Sequence, residues 1–354
     1  MLTPTQVPVR ELTTRPRVSV AIPNYNYARF LPDAIGSALD QPGVDVDVLV
    51  VDNASTDDSV AVVEAIAERD SRVQLIRHSV NEGTIASFNE AARKVTGDYY
   101  VLLCSDDLLT RGSLARSVAL LEEHPNVGFA FGYVKRFTDE LPTAETAVTG
   151  WSVWEGQRWF DARYKDARNV VVTPEVVMRR SVMDKLHYDT RFRERSDLLL
   201  WLRAALLADV GRVHGPCQAF TREHDARLSL THYAGLLPDL RSRLGSFELV
   251  LDEEGRQLPH VSRLHRDVRR ALATESIRLA RRCYDTGESI GGSTAEEYAY
   301  FAVETWPDIC RTRSWFAYQL RARQKAPRWL QFGSEQAHRV QHHLRWRLFR
   351  RYGI

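Results

Sequence analysis

Tyr99-Tyr100-Val101-Leu102-Leu103-Cys104-Ser105-Asp106-Asp107 is the stretch on which the fold turns. Its opening run of apolar residues has the character of a strand covered on both faces, as in a parallel sheet flanked by helices. It leads straight into two carboxylates. Burying such a pair without a counter-charge is costly, and a hard divalent cation is the natural partner. On a backbone that is still extended, adjacent side chains point to opposite faces, so the spacing predicts that one aspartate binds metal and its neighbour binds something else. The plain alternative, a helix N-cap ahead of Leu108, suits a lone Asp better than a pair.

Outward from this strand, from Arg17 to Val134, short β-branched runs alternate with helix-like stretches, which predicts an α/β fold with a mostly parallel central sheet. Further strands are expected at Val18–Ile22, Val46–Val51, Val73–Arg77 and Val127–Tyr133. Helices are expected at Ala28–Leu39, Asp57–Arg69, Thr84–Lys94 and Ser113–Glu123, each about as long as a crossover requires. Residues 135–170 place Trp151, Trp154 and Trp159 among polar residues without sustained period, and read as a long excursion or lid. A strand-like Val170–Thr173, a helical Pro174–Leu186 and a helix over Asp197–Leu207 follow. Beyond that the chain turns helical and Arg-rich. The expected division is a loose tail over 1–16, a catalytic domain over 17–235 and a helical region over 236–354.

The chain of 354 residues is long enough for such a domain and an appendage. Its net charge of +2 gives no whole-chain argument for nucleic-acid binding. Four widely spaced cysteines, Cys104, Cys217, Cys283 and Cys310, suggest neither a zinc motif nor a disulfide framework and fit a reducing cytosol. No apolar run approaches the ~18 residues needed to span a bilayer. The first strand ends in Pro23-Asn24-Tyr25-Asn26 rather than Gly-x-Gly-x-x-Gly, which argues against a dehydrogenase, and no phosphate-binding Gly-x-x-x-x-Gly-Lys occurs. The second strand ends in Asp52-Asn53-Ala54-Ser55-Thr56-Asp57. Thr56 or Asp57 reads as an N-cap, which leaves Asp52 and Asn53 for a ligand at the carboxyl edge of the sheet.

Taken in order, these stretches resemble the family 2 glycosyltransferases of the GT-A fold over about residues 17 to 230. Asn81-Glu82-Gly83 with Asn89 is similar to that family's Asn-x-Gly segment, and Gly97-Asp98-Tyr99 to its lead into the metal strand. The resemblance implies a nucleotide diphosphate-sugar donor and a hydroxyl acceptor. Tyr25 would pack on the base beside Pro23 and Asn26, Asp52 and Asn53 would read the base edge, and Asp106, next to Ser105, would hold the ribose. Asp107 would bind Mg²⁺ or Mn²⁺, which would bridge the diphosphate.

Arg195-Ser196-Asp197-Leu198-Leu199-Leu200-Trp201-Leu202-Arg203 resembles the family's base segment and puts Asp197 in the position of general base. From the residues alone, an N-cap or a salt bridge to Arg193 or Arg195 is the competing reading. Thr221-Arg222-Glu223-His224 with Ser229 looks like the family's Arg-x-His segment, with His224 beside the metal and diphosphate. The chain departs from the family at Ser87-Phe88-Asn89, where a basic contact to the nucleotide is missing. It departs again at Ser196 and at Cys104, each standing where an acid is frequent.

Glu335 to Ile354 carries Arg339, Arg345, Arg347, Arg350 and Arg351 with apolar residues at near-helical spacing. Such a helix suits either an anionic membrane face or docking on the catalytic domain or a dimer partner. The expected protein is cytoplasmic or peripheral at the inner membrane face. Two rivals to an inverting transferase are a non-catalytic scaffold that binds nucleotide-sugar or a protein, and a nucleotidyltransferase. The second would want a Gly-rich basic loop in place of Asn24-Tyr25-Asn26.

Overall fold

The computed structural model describes residues 5–224 and 235–323, which pack as two units: 5–160 with 170–224, and 161–169 with 235–323. In the first unit the chain runs β1 (Thr5–Val7), β2 (Arg17–Asn24), α1 (Leu31–Leu39), β3 (Asp45–Asp52), α2 (Ser59–Ala67), β4 (Val73–Arg77), α3 (Thr84–Lys94) and β5 (Tyr99–Leu102). It continues through β6 (Leu108–Leu109), α4 (Ser113–Glu123), β7 (Val127–Phe131), β8 (Val134–Phe137), β9 (Gly150–Trp154), the start of α5 (Gly156–Asp166, whose residues from Asp161 belong to the second unit), β10 (Val177–Arg179), α6 (Arg180–Met183), α7 (Ser196–Leu207), β11 (Asp209–His214) and β12 (Ala219–Arg222).

A nine-stranded sheet has the order β1-β9-β11-β7-β10-β5-β2-β3-β4. Its β5-β2-β3-β4 side is parallel, and all four strands deliver their carboxyl ends to one edge. The far side is mixed: β7 and β11 are parallel, while β10, β9 and β1 run antiparallel to their neighbours. A separate three-stranded sheet, β6-β12-β8, brings the chain back past the end of β5.

The parallel half forms for the reason its composition suggests. Val18, Val20, Ile22, Val48, Val50, Tyr99, Val101 and Leu103 are buried in one core with the inner faces of α1 and α4, and such burial is worth roughly 1.5–3 kcal/mol for each large side chain. Gly97 is required just before β5. A Cβ there would lie 2.7 Å from the Ser19 backbone nitrogen, and the Gly97 N–H donates to Ser19 Oγ at 2.8 Å. Asp98 then accepts from the Arg17 N–H, so the Gly-Asp lead fixes β5 beside β2.

Several expectations change. Thr5–Val7 is no loose tail: it pairs with Trp151–Val153 of β9 as the sheet's edge strand. Residues 135–170 are no lid, because β9 lies inside the sheet between β1 and β11, and Trp151, Trp154 and Trp159 are all buried. The sequence lacked period there since both faces of β9 meet protein. Val170–Thr173 is not a strand and Pro174–Leu186 is not one helix. A 3-10 turn at Thr173–Glu175 leads into β10, which fills the gap between β5 and β7, and only Arg180–Met183 is helical. Glu175 shapes this segment by accepting the Val172 and Gly132 N–H groups at 3.0 and 3.2 Å.

The second unit contains α8 (Leu236–Glu253), α9 (Val261–Thr286), α10 (Ala295–Thr305) and α11 (Arg313–Ala322). Residues 161–169 belong with it, although the expected boundary stood at 235. Tyr164 donates to the Phe247 carbonyl, Arg243 donates to the Ala167 carbonyl, and Asp161 meets His260 and Arg263. Arg243 is held by Glu275 and Asp239, so this buried guanidinium ties the excursion to α8 and α9. The basic segment from Glu335 to Ile354 lies outside the described residues, as does Ser229.

Candidate functional site

The end of β2 and the end of β3 are knotted together. Asn24 donates to Asp52 Oδ1 at 2.9 Å, and the Ser55 hydroxyl and N–H donate to the two Asp52 oxygens at 2.6 and 2.9 Å. Ser55 Oγ in turn accepts the Asn26 N–H at 2.9 Å, and Asn26 Oδ1 accepts the Thr56 N–H at 2.7 Å. Asn26 takes a left-handed conformation (φ 59°), which asparagine tolerates better than most residues. Pro23 closes β2 and Tyr25, 44% exposed, stands out from the knot. Asp52 itself is buried, and both its oxygens are engaged in holding the Tyr25 loop.

Asn53 does the same for the next loop. Its amide donates to Asn81 Oδ1 at 2.9 Å, while its oxygen accepts the Glu82 N–H and meets His78 Nδ1, each at 2.9 Å. His78 also contacts Glu90 of α3 through Nε2. Sequence reasoning passed over His78, whose signal is its position one residue past β4 at the same sheet edge. Asn81 accepts the Gly83 N–H, and Gly83, at φ 89°, turns the chain into α3. Asn89 engages the Tyr188 backbone: its amide both donates to the Tyr188 carbonyl and accepts the Tyr188 N–H, at 2.9 and 2.7 Å. It clamps backbone two elements away.

At β5 the strand stops at Leu102, and the Asp107 N–H bonds back to the Cys104 carbonyl at 3.0 Å, closing a tight turn. The alternation of an extended chain therefore ends before the aspartates. Against the expectation that they diverge, one ligand atom each from Cys104, Asp106 and Asp107 lies within 4.8 Å of the others. Ser105, Asp106 and Asp107 are all buried.

From β12 the Arg222 N–H donates to Asp107 Oδ1 at 3.0 Å, and the Arg222 guanidinium donates to the Asp106 carbonyl while lying 4.8 and 4.5 Å from the ring centres of Phe30 and Phe137. His224 Nε2 meets Asp106 Oδ2 at 2.9 Å, and its ring packs on Tyr27 and Phe30. His224 thus stands directly against Asp106 at the edge of the cluster. Two buried carboxylates and a thiol converging at the sheet edge are a donor set that suits a divalent cation.

Asp197 occupies the first turn of α7, half-buried, and accepts the Leu198 N–H at 2.7 Å. The start of that helix is set by Asp189, which receives Arg191 and the buried Arg203, and these pairs hold its carboxyl well below the usual range. Arg203 of the base segment is thereby a structural residue. Tyr188 links this region to the β5 turn. Its hydroxyl lies 3.4 Å from that of Tyr100, and burial, the Tyr100 phenol, and the Asp197 and Cys104 side chains raise its pKa well above the ordinary value. Tyr188 was not foreseen; its only sequence signal is an aromatic just ahead of the base segment.

The fold is GT-A, an α/β sheet whose parallel carboxyl edge carries an acidic turn. S. aureus TarS 1–349, solved in complex with UDP-GlcNAc, shares it with a TM-score of 0.60 at 14% identity, over 91% of this chain and 92% of that one. The mannosyltransferase PcManGT from Pyrobaculum calidifontis, in complex with GDP-Man and Mn²⁺, gives 0.50 at 19% identity, over 88% and 86%. Residues 19–186 match the family described as Glycosyl transferase family 2.

Similar curated proteins include the putative teichuronic acid biosynthesis glycosyltransferase TuaG of Bacillus subtilis, 29% identical over 129 residues, which make up 36% of this chain and 51% of TuaG. An uncharacterized glycosyltransferase of Haemophilus influenzae is 32% identical over 110 residues, 31% of this chain and 44% of that protein. The chain therefore spans about half the length of these relatives. No described helix is long and apolar enough to cross a membrane.

Proposed function

We propose that this protein transfers a sugar from a nucleotide diphosphate-sugar to an acceptor hydroxyl with inversion, Asp197 acting as general base. The observation that carries the reading is the buried Asp106–Asp107 turn at the carboxyl edge. Neighbours of this fold solved with UDP-GlcNAc and GDP-Man support the donor class. Tyr25, exposed on a loop held by Asp52 and Ser55, would stack on the base. Such a contact is worth about 1–3 kcal/mol. Asn53 and Asn81 would fix the loop beside it, and Asp106, oriented by His224, would receive the ribose or the cation.

Asp107 would hold Mg²⁺ or Mn²⁺, which when bound neutralises charge on the departing nucleoside diphosphate. Asp197 takes the proton of the acceptor hydroxyl as that oxygen bonds to the anomeric carbon, from the face opposite the breaking bond to the diphosphate. The acceptor is a glycan, a lipid-linked glycan or a small natural product.

The test is nucleoside diphosphate release from UDP-, dTDP- and GDP-sugars with Mn²⁺ and acceptors of each of these classes. One donor should turn over, and Asp197→Asn should stop turnover while still binding the nucleotide. Binding without release across every acceptor would favour a scaffold instead.

A further inference from the structure

We propose that Cys104 is a third protein donor to the cation at the β5 turn, and that its sulfur makes the site prefer thiophilic divalent ions such as Zn²⁺ and Cd²⁺, with Mn²⁺ ahead of Mg²⁺. The proposal rests on the reading that a cation binds at Asp107. The turn closed by the bond from Asp107 to the Cys104 carbonyl puts these two residues three apart, on one side of the chain. Sγ and a carboxylate oxygen from each aspartate lie within 4.8 Å of one another. Donors 2.0–2.3 Å from one ion in tetrahedral arrangement sit roughly 3.5 Å apart, a gap that small side-chain rotations close.

His224 Nε2 meets Asp106 Oδ2 at 2.9 Å, and a ligating carboxylate is ordinarily hydrogen-bonded in turn. A sulfur donor changes which ion is favoured. Mg²⁺ takes oxygen ligands and near-octahedral geometry, whereas thiolate selects softer ions. On binding, the S–H bond of Cys104 breaks, the sulfur keeps the electron pair as the new donor, and the proton leaves to solvent.

Of the other cysteines, Cys217 and Cys283 are buried and their thiols are pushed up by that burial, to about 11 for Cys217, whereas Cys310 is exposed. Cys310→Ser therefore provides a clean background. Cd²⁺ titrated into this variant should raise a thiolate-to-metal ultraviolet band that saturates at one ion per chain, and Mn²⁺ should compete it away. Adding Cys104→Ser should abolish the band and weaken Zn²⁺ at least about tenfold, with Mg²⁺ affinity little changed. If Mn²⁺ binds by electron paramagnetic resonance but Cd²⁺ gives no band, the sulfur is not a ligand and the proposal fails while the metal site stands. If neither ion binds, both this proposal and the cation reading fail.

Discussion

At the end of β3 a carboxylate faces three donors of its own neighbourhood, the Asn24 amide and the Ser55 hydroxyl and N–H; at the end of β5 two carboxylates face each other and a thiol. Both begin as an apolar strand that runs into aspartate. What separates them is where their partners come from. Asp52 is held by Asn24 and by Ser55 three residues on, so it ties its own loop. Asp107 instead accepts the Arg222 N–H and Asp106 meets His224, at the end of the distant β12 and just past it, and the two carboxylates also converge with a thiol in a turn whose charge a cation would offset.

Disrupting the β5 side should have the largest effect on turnover. Asp107→Ala is expected to lower kcat by about 10⁴-fold, several kcal/mol of leaving-group stabilisation, with little loss of melting temperature. Steady-state rates beside a thermal melt would check both halves of that statement. Asp197→Asn should cost about 10³-fold in kcat and leave nucleotide affinity intact, since its chemistry is proton transfer. A matching loss of affinity would move Asp197 out of the base role.

Disrupting the β3 side should instead show in stability. Asp52→Ala strands the buried Asn24 and Ser55 donors at about 1–3 kcal/mol, which denaturant melts would register, and nucleotide binding should weaken through the Tyr25 loop. Ser55→Ala should be milder in both readouts. An Asp52 variant that kept full stability but lost binding would instead favour direct contact of Asp52 with the base edge.

The mixed side of the sheet adds a pH signature. Burial raises Glu175 to about 7, although Val172, Arg212 and Gly132 act the other way, and burial together with Arg212 lowers His214 to about 4. Between pH 4.5 and 7 the native state holds more protons on Glu175 than the unfolded chain, so that contribution falls as pH rises. His214 acts oppositely: between pH 4 and 6.5 the unfolded state binds the extra proton, and stability rises with pH. The two offset each other. Glu175→Gln should remove the falling branch, on the order of 3 kcal/mol across the window, and leave stability climbing more steeply from pH 4 to 6.5 in denaturant titrations. An unchanged slope would contradict the burial assigned to Glu175.

Much of the parallel half was legible in the sequence, because each strand there is a β-branched run bounded by polar turns and each crossover helix has its own period. The bounds of β4, α3 and α4 match the expected Val73–Arg77, Thr84–Lys94 and Ser113–Glu123. The mixed half was not, since β9 owes its place to long-range pairing with β1 and β11, and β10 is too short to carry a pattern. Among site residues, the acidic turn could be read as chemistry but its convergence could not, because that depends on where the strand stops. The Asn89 clamp on the Tyr188 backbone was also out of reach, because an asparagine looks the same in sequence whether it faces a ligand or a backbone.

The most direct measurement is a thermal-shift panel of UDP, dTDP and GDP, with and without Mn²⁺, on wild type and Asp107→Ala, since a ligand bound to the native state raises its stability by mass action. The account predicts a metal-dependent rise for one nucleotide in wild type that the substitution abolishes. A rise that ignores Mn²⁺ and survives Asp107→Ala would contradict it.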